Sequence, residues 1–308
     1  MTPELSNDAP HLPPRDPLGH KGTFGTVAVI GGSDGVDERR TMIGAPALAA
    51  LAALRVGAGM ATLAVPASML SMALALTPAA TGFGLPVNAQ GELDASGAAA
   101  QIDRAMAGAS AVVLGPGLGQ GVAQQQIVIR LVNLDAIPIV VDADALNALA
   151  STREFARELR APCVLTPHPG EFARLALALE LDLTSDAGTS PALRPAAAAV
   201  LARRLGAIVV LKGAGTIVSD GLRVWRCDHG NAALAVAGSG DVLSGTIAGL
   251  IAQFVRPPHR MSLFDCARLG VYIHALAAER WSSRHGEAGL VPSDLCAEMP
   301  DVLRSLRG

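Results

Sequence analysis

The sequence predicts an α/β protein: an open, mostly parallel central sheet with helices on both faces. Three observations carry that expectation. Short β-branched runs alternate with longer alanine- and leucine-rich stretches. Four of those runs are nearly continuous in apolar residues, as expected of parallel strands buried on both faces. And five of them end in glycine or a polar side chain. Strand–helix alternation of this kind argues for a sheet wrapped by helices.

The runs are TVAVIGG (26–32), MATLAVP (60–66), AVVLGPG (111–117), PIVVDAD (138–144), PCVLTPH (162–168) and AIVVLKG (207–213). Helices are expected over 44–57, 121–134, 145–150, 169–180 and 195–205. TIVSDGLRVWRCD (216–228) divides around Asp220-Gly221, a hairpin signal. Two long helices follow, 241–255 and about 261–281, then a last one over 293–306. No linker and no internal repeat divides the chain. A single domain over 19–308 is expected, behind a loose, proline-containing arm over 1–18 that has no apolar core and so is no secretory signal.

Composition removes several classes of function. Aromatic residues make up 3% and the net charge is −3, which leaves neither a stacking surface nor a basic footprint for nucleic acid. The longest apolar runs are short and soon interrupted by Arg55 and glycine, so no membrane span is expected. Cys163, Cys227, Cys266 and Cys296 form no C-x-x-C pair and read as buried thiols of a reducing cytoplasm, ahead of disulfides or zinc.

The polar strand ends are Gly31-Gly32-Ser33-Asp34, Gly115-Pro116-Gly117, Asp142-Ala143-Asp144, Thr166-Pro167-His168 and Lys212-Gly213. In open parallel sheets ligands bind outside the carboxyl ends of the strands, so five runs aim chemistry at one edge. One or two of the five read equally well as plain turns. AVAGSGDVLSG (235–245) adds Gly238, Ser239 and Gly240 at the amino end of an apolar helix, where unpaired N–H groups and the helix dipole favour an anion. Asp241 beside them is either a base or an ordinary acid of a first helical turn. There is no G-x-G-x-x-G after a strand, no Walker motif, no G-x-S-x-G and no H-E-x-x-H. A glycine-lined anion pocket with one carboxylate suits phosphoryl transfer, which needs positioning, charge stabilisation and a base near the attacking hydroxyl. Amides from Ala237 to Asp241 would hold the phosphoryl group, and Asp241 would accept the hydroxyl proton.

GSGDVLSGTIAGLIAQ resembles the G-[ST]-G-D signature of the ribokinase-like superfamily of small-molecule kinases. HKGTFGTVAVIGGSDG, VVLGPGLG, VVDADALNALA, LTPHPGEFARL, VVLKGAGTIV, NAALAVAGSGDVLSG and GEAGLVPSDL, in that order, resemble the ADP/ATP-dependent NAD(P)H-hydrate dehydratases over about residues 19–295. The resemblance implies cofactor repair: the 6-hydroxyl of NADHX or NADPHX is phosphorylated and phosphate is eliminated. It carries Asp241 over as catalytic base and, with Ala45, Gly117 and His168, as a substrate contact. Lys212, Gly213, Ala214, Gly215, Thr216 and Gly240 match nucleotide-binding positions, and Glu171 a position near Mg²⁺. It also implies a cytoplasmic homotetramer using ADP, or ATP, with one epimer handled directly because the arm leaves no room for the epimerase domain of bifunctional relatives.

Plainer readings stand beside these. Lys212 could be a surface ion-pair partner, His168 a structural histidine, Glu171 a first-turn acid, Asp144 a helix cap, and Asn147 a packed helix residue. VDERRTMI (36–43) lengthens and charges a connection that is shorter in the family, as a flap or a subunit contact, and TPAATGFGLPVNAQGELDA (77–95) is less family-like. A kinase of a hydroxymethylpyrimidine- or hydroxyethylthiazole-type alcohol would share Asp241 and the anion pocket, but gives no reason for TPHPGE beside GPGLG. A non-catalytic nucleotide sensor would have no need of Asp241.

Overall fold

The structure, a computed structural model, describes residues 5–35, 40–88 and 92–307. The chain begins with β1 (Leu5–Ser6), β2 (Thr26–Ile30), α1 (Gly44–Arg55), β3 (Met60–Pro66), α2 (Leu70–Leu76), β4 (Thr81–Leu85) and α3 (Ala95–Met106). It continues through β5 (Ala111–Leu114), α4 (Val122–Val132), β6 (Ile139–Val141), α5 (Asp144–Ala150), β7 (Cys163–Leu165), α6 (Pro169–Ala178) and α7 (Arg194–Leu205). It closes with β8 (Ile208–Leu211), the hairpin β9 (Ile217–Ser219) and β10 (Val224–Arg226), then α8 (Ser239–Phe254), α9 (Leu263–His285) and α10 (Pro292–Arg307). The strands form one sheet in the order β1-β10-β9-β8-β7-β6-β5-β2-β3-β4. β9 is antiparallel to both neighbours; the other pairings are parallel.

Runs that are apolar throughout serve two cores, because successive side chains point to opposite faces. Val27, Val29, Leu63, Val65, Val113 and Val140 pack into a core with α1, α8, α9 and α10. Their chain neighbours Ala28, Ile30, Ala64, Val112, Leu114 and Val141 pack into a second core with α3 to α7. The expected strands end earlier than their apolar runs. At β5 this is because Gly115 turns the chain with a φ of 119°, leaving the polar residues on the sheet edge.

α8 is buried along most of its length and lies against α1. The contact is built from small residues. A methyl group on Gly245 would collide with the Ala49 carbonyl, and one on Gly249 would come within 2.8 Å of the Ala53 carbonyl. Ala49, Ala52 and Ala53 of α1 are fully buried. Interaxial distance depends on the side chains at the crossing, so small residues on both helices bring the backbones close. The alanine-rich α1 thereby fixes where α8 begins, and α8 begins at the cleft.

Four elements went unread in the sequence: β1, α2, β4 and α3. β4 carries two glycines that face Leu70 and Ala67 at short range, so it lacks the β-branched signature of a strand. The arm expected to be loose is a correction. From Leu5 onward it is tied down, with β1 parallel to β10, the Trp225 indole donating to the Asp8 carbonyl (2.9 Å) and Arg268 paired with Asp8 (2.6 Å). Leu12 is buried, and Arg15 donates to the Gly57 carbonyl at 2.8 Å. Of the charged connection 36–43, residues 36–39 lie outside the described residues; Met42 makes an antiparallel bridge with Ser33.

Gly245→Ala should lower stability by about 2 kcal/mol, since overpacking against backbone has no flexible side chain to displace. Thermal unfolding reads this directly. An unchanged melting temperature would contradict the close α1–α8 contact.

Candidate active site

A cavity of about 940 Å³ opens where the carboxyl ends of β6, β7 and β8 face the start of α8. Asp142 follows β6, His168 and Glu171 follow β7, the segment Lys212–Thr216 follows β8, and Gly238 to Asp241 begin α8. All line the cavity. The parallel register puts these strand ends side by side, so residues far apart in sequence converge there without further device.

Charge is concentrated around Lys212. Its ammonium Nζ donates to Asp142 Oδ1 at 2.8 Å and lies 3.8 Å from Glu171 Oε2. Asp142 is 1% exposed and Glu171 4%. Burial pulls the Lys212 ammonium down, but Asp142, Glu171 and Asp241 more than offset this and hold it above its ordinary value. Burial pushes the Asp241 carboxyl up to about 7, helped by the Asp142 charge and opposed by Lys212. Burial likewise pushes Glu171 up to about 7, against the pull of Lys212. Three carboxylates crowd one cation, so the least compensated take up protons near neutrality.

At the start of α8 the Ser239 amide donates to the Val236 carbonyl at 3.3 Å and the Val242 amide to the Gly238 carbonyl at 3.1 Å. Among the described residues, the Gly240 and Asp241 amides between them have no partner. Of the amides from Ala237 to Asp241 expected to face an anion, that of Ser239 is thus engaged within the turn. Gly238 holds a φ of 92°, which aims the first turn at the cleft. His274 Nε2 lies 3.0 Å from the Ser239 carbonyl and 3.2 Å from its hydroxyl. Burial pushes this imidazole down to about 4, so it is neutral, and a neutral Nε2–H donates to the carbonyl.

His168 caps α6. Its Nδ1 accepts from the Gly170 and Glu171 amides at 3.0 and 3.3 Å, while Glu171 Oε2 accepts from the His168 amide at 2.8 Å. This reciprocal capping box leaves the proton on Nε2, which lies 3.5 Å from Glu171 Oε1. Burial, with the Lys212 and Arg174 charges, holds the imidazole below its ordinary value. His168 thus serves the helix as its cap while also lining the cavity. Glu171 is committed to the cap and to Lys212. Among the described residues no group of three His, Cys, Asp or Glu is arranged to hold a metal ion. Mg²⁺ needs octahedral oxygen ligands and takes many of them from water and phosphate. Among the described residues the cleft offers no such cage of protein ligands.

Arg194 pins the Lys212–Thr216 segment from α7, donating to the carbonyls of Ala214, Leu211 (2.8 Å) and Lys212 (3.1 Å). Ala45 and Gly117 are neighbours: a methyl on Gly117 would lie 3.3 Å from Ala45 Cβ. Neither lines the main cavity. Asp144 does not cap α5; Oδ2 accepts from the Gly119 amide at 2.9 Å. Asn147 accepts from Arg174 at 2.9 Å. Three features had no motif to announce them: the Arg194 clamp, buried His274, and Ala143, a non-glycine residue with a φ of 49° on the cavity wall. Such strain persists where surrounding contacts over-determine the backbone.

Removing Lys212 alone leaves Asp142 buried and unpaired. Lys212→Met should therefore cost about 3 kcal/mol, and Lys212→Met with Asp142→Asn should recover most of it. Chemical denaturation of the two variants checks this, and equal stability would contradict it.

The model of the NAD(P)H-hydrate dehydratase family matches residues 27–301. The chain is 38% identical over 297 residues to a bifunctional NAD(P)H-hydrate repair enzyme of Moorella thermoacetica, covering 96% of this chain and 52% of that one. It thus spans about half the length of the bifunctional relatives. It is 36% identical over 293 residues to an ADP-dependent (S)-NAD(P)H-hydrate dehydratase of Neisseria meningitidis, covering 94% and 86%. The structure of the Bacillus subtilis ADP/ATP-dependent NAD(P)H-hydrate dehydratase, co-crystallised with ATP and Mg²⁺, superposes with a TM-score of 0.73 at 28% identity, covering 96% and 95%. With its ribokinase-like sheet and a match over most of its length, the chain belongs to the NAD(P)H-hydrate dehydratase family.

Proposed function

We propose that the protein repairs hydrated NADH or NADPH, taking a phosphoryl group from ADP, or from ATP, to turn the 6-hydroxyl into a leaving group. The observation that carries this is Asp241. It titrates near neutrality and shares one cleft with two unpartnered amides and the Lys212 ammonium. A base near the operating pH, beside donors aimed at developing negative charge, is what hydroxyl phosphorylation requires.

In the first step the 6-hydroxyl oxygen bonds to the terminal phosphorus as the bond to the bridging oxygen breaks, and Asp241 accepts the proton. The Gly240 and Asp241 amides and Lys212 take up charge on the transferring group. In the second step the C6–O bond breaks, phosphate leaves with the electron pair, and loss of the C5 proton restores the ring double bond. The Lys212–Thr216 segment holds the nucleotide together with Gly240. His168 Nε2–H, Ala45 and Gly117 contact the substrate, and small residues at 45 and 117 let it approach the backbone. Mg²⁺ accompanies the nucleotide phosphates, and a single epimer is used. The four buried free thiols support a reducing, cytoplasmic setting. Tetrameric assembly follows from family resemblance alone, and sedimentation reads it.

Incubating the protein with hydrated NADH, Mg²⁺ and ADP or ATP should restore reduced-nicotinamide absorbance. No recovery with either nucleotide would defeat the proposal, and a stable phosphorylated alcohol would favour an ordinary kinase. Asp241→Asn should lower kcat by about 10²–10⁴-fold while the Kd for ADP stays nearly constant. Loss of both together would remove Asp241 from the role of base. Because the unprotonated carboxylate is the active form, kcat/KM should fall as pH drops through about 7. A profile flat from pH 8 to 5 would contradict that.

A further inference from the structure

Arg194, the first residue of α7, takes no part in the chemistry described above. Its side chain is 5% exposed, yet it borders the main cavity. Among the described residues no carboxylate pairs with this guanidinium, and burial holds it below its ordinary value. Buried charges are ordinarily paired, because an isolated one is costly. Here carbonyl oxygens stand where an anion would be expected. The guanidinium donates to Leu211 (2.8 Å), to Lys212 (3.1 Å) and to Ala214, while Nε is covered and has no partner.

These bonds orient the other side of the backbone. A trans peptide is planar, so each carbonyl drawn to Arg194 sends the amide that follows it the opposite way. The Lys212 and Ala214 carbonyls thus turn the Gly213 and Gly215 amides away from Arg194. Among the described residues neither amide has a partner, and both glycines line the cavity. Gly213 holds a φ of 137° and Gly215 a φ of 62°. Successive amides in turns of this kind form concave surfaces that bind anions. The Thr216 hydroxyl closes the turn on the Gly213 carbonyl at 3.0 Å.

We infer that Arg194 is a positioning residue for the phosphoryl donor: it shapes the Lys212–Thr216 segment, aims the Gly213 and Gly215 amides into the cleft and sets behind them a fixed positive charge that nucleotide phosphates balance. This rests on the nucleotide use proposed above. Lysine is no substitute, because an ammonium lacks the planar fork that spans three carbonyls. Among the described residues Arg194 makes no hydrogen bond to Asp241 or His168, so the step at the 6-hydroxyl is unaltered once the donor is bound.

The test measures the Kd for ADP with Mg²⁺ by calorimetry, together with kcat and KM for hydrated NADH at saturating ADP, in the wild type, Arg194→Lys and Arg194→Ala. Both variants should weaken ADP binding by about tenfold or more, the size expected for lost bonds to a charged group. kcat and the KM for hydrated NADH should stay within about threefold of the wild type, the pattern of a loss confined to donor binding. Guanidinium salt should restore ADP binding to Arg194→Ala where an ammonium salt of equal ionic strength does not. A residue serving stability alone would give neither the split nor the rescue. An unaltered Kd in a folded variant overturns the inference, as do equal rescue by both salts and a fall in kcat that matches the loss of ADP affinity. If thermal unfolding shows that neither arginine variant folds, Gly213→Ala decides, since its methyl would lie 3.2 Å from both terminal guanidinium nitrogens. It should weaken ADP binding to a similar degree, and an unaltered Kd overturns the inference. A wild type that binds no ADP overturns the proposed function itself, whereas a wild type that binds it beside variants that bind it equally well overturns only the role of Arg194.

Discussion

The ion pair between Lys212 and Asp142 is the interaction on which the site depends. It joins the end of β8 to the end of β6 across β7, and it is almost dry on the carboxylate side. One ammonium serves Asp142, Glu171 and Asp241, and burial against that single cation raises the Glu171 and Asp241 carboxyls to about 7. A carboxylate at its ordinary value would be a weak base at pH 7, and a fully buried one with no cation nearby would hold its proton too tightly. Sharing a single cation sets Asp241 between these limits.

The second requirement is mechanical. Charge at Asp241 matters only if the first turn of α8 stands over the strand ends, and that position is set on the far side of the helix. Gly245 and Gly249 let α8 settle onto the alanine ladder of α1. Gly238 then swings the chain into the cleft, leaving two amides unpaired. His274 steadies the turn from behind as a neutral donor. The geometry of the cleft here is a consequence of how two helices pack.

Much of this was legible in the sequence because the relevant signals are local. Apolar runs ending in glycine and polar residues marked the parallel strands, and GSGD before an apolar helix marked the start of α8 at the cleft. What was not legible depends on the third dimension. Asp142 was noted without a role because nothing in DADALN reveals a lysine seventy residues later. Arg194 and His274 act through backbone carbonyls, which carry no sequence signature. β4 escaped because its two glycines answer the crowding of α2 rather than strand propensity. The arm looked loose because its prolines and acids have no periodicity; its order comes from a partner strand more than two hundred residues away.

That arm has a consequence for the molecule as a whole. The outer edge of β10 would otherwise present free backbone donors and acceptors, an invitation to strands from other chains. A two-residue strand ending in a polar side chain answers that invitation and is itself too short to extend it. Clipping or displacing the leading segment would therefore leave the sheet adhesive at that margin, with only β9 between the bared strand and β8, whose end carries Lys212.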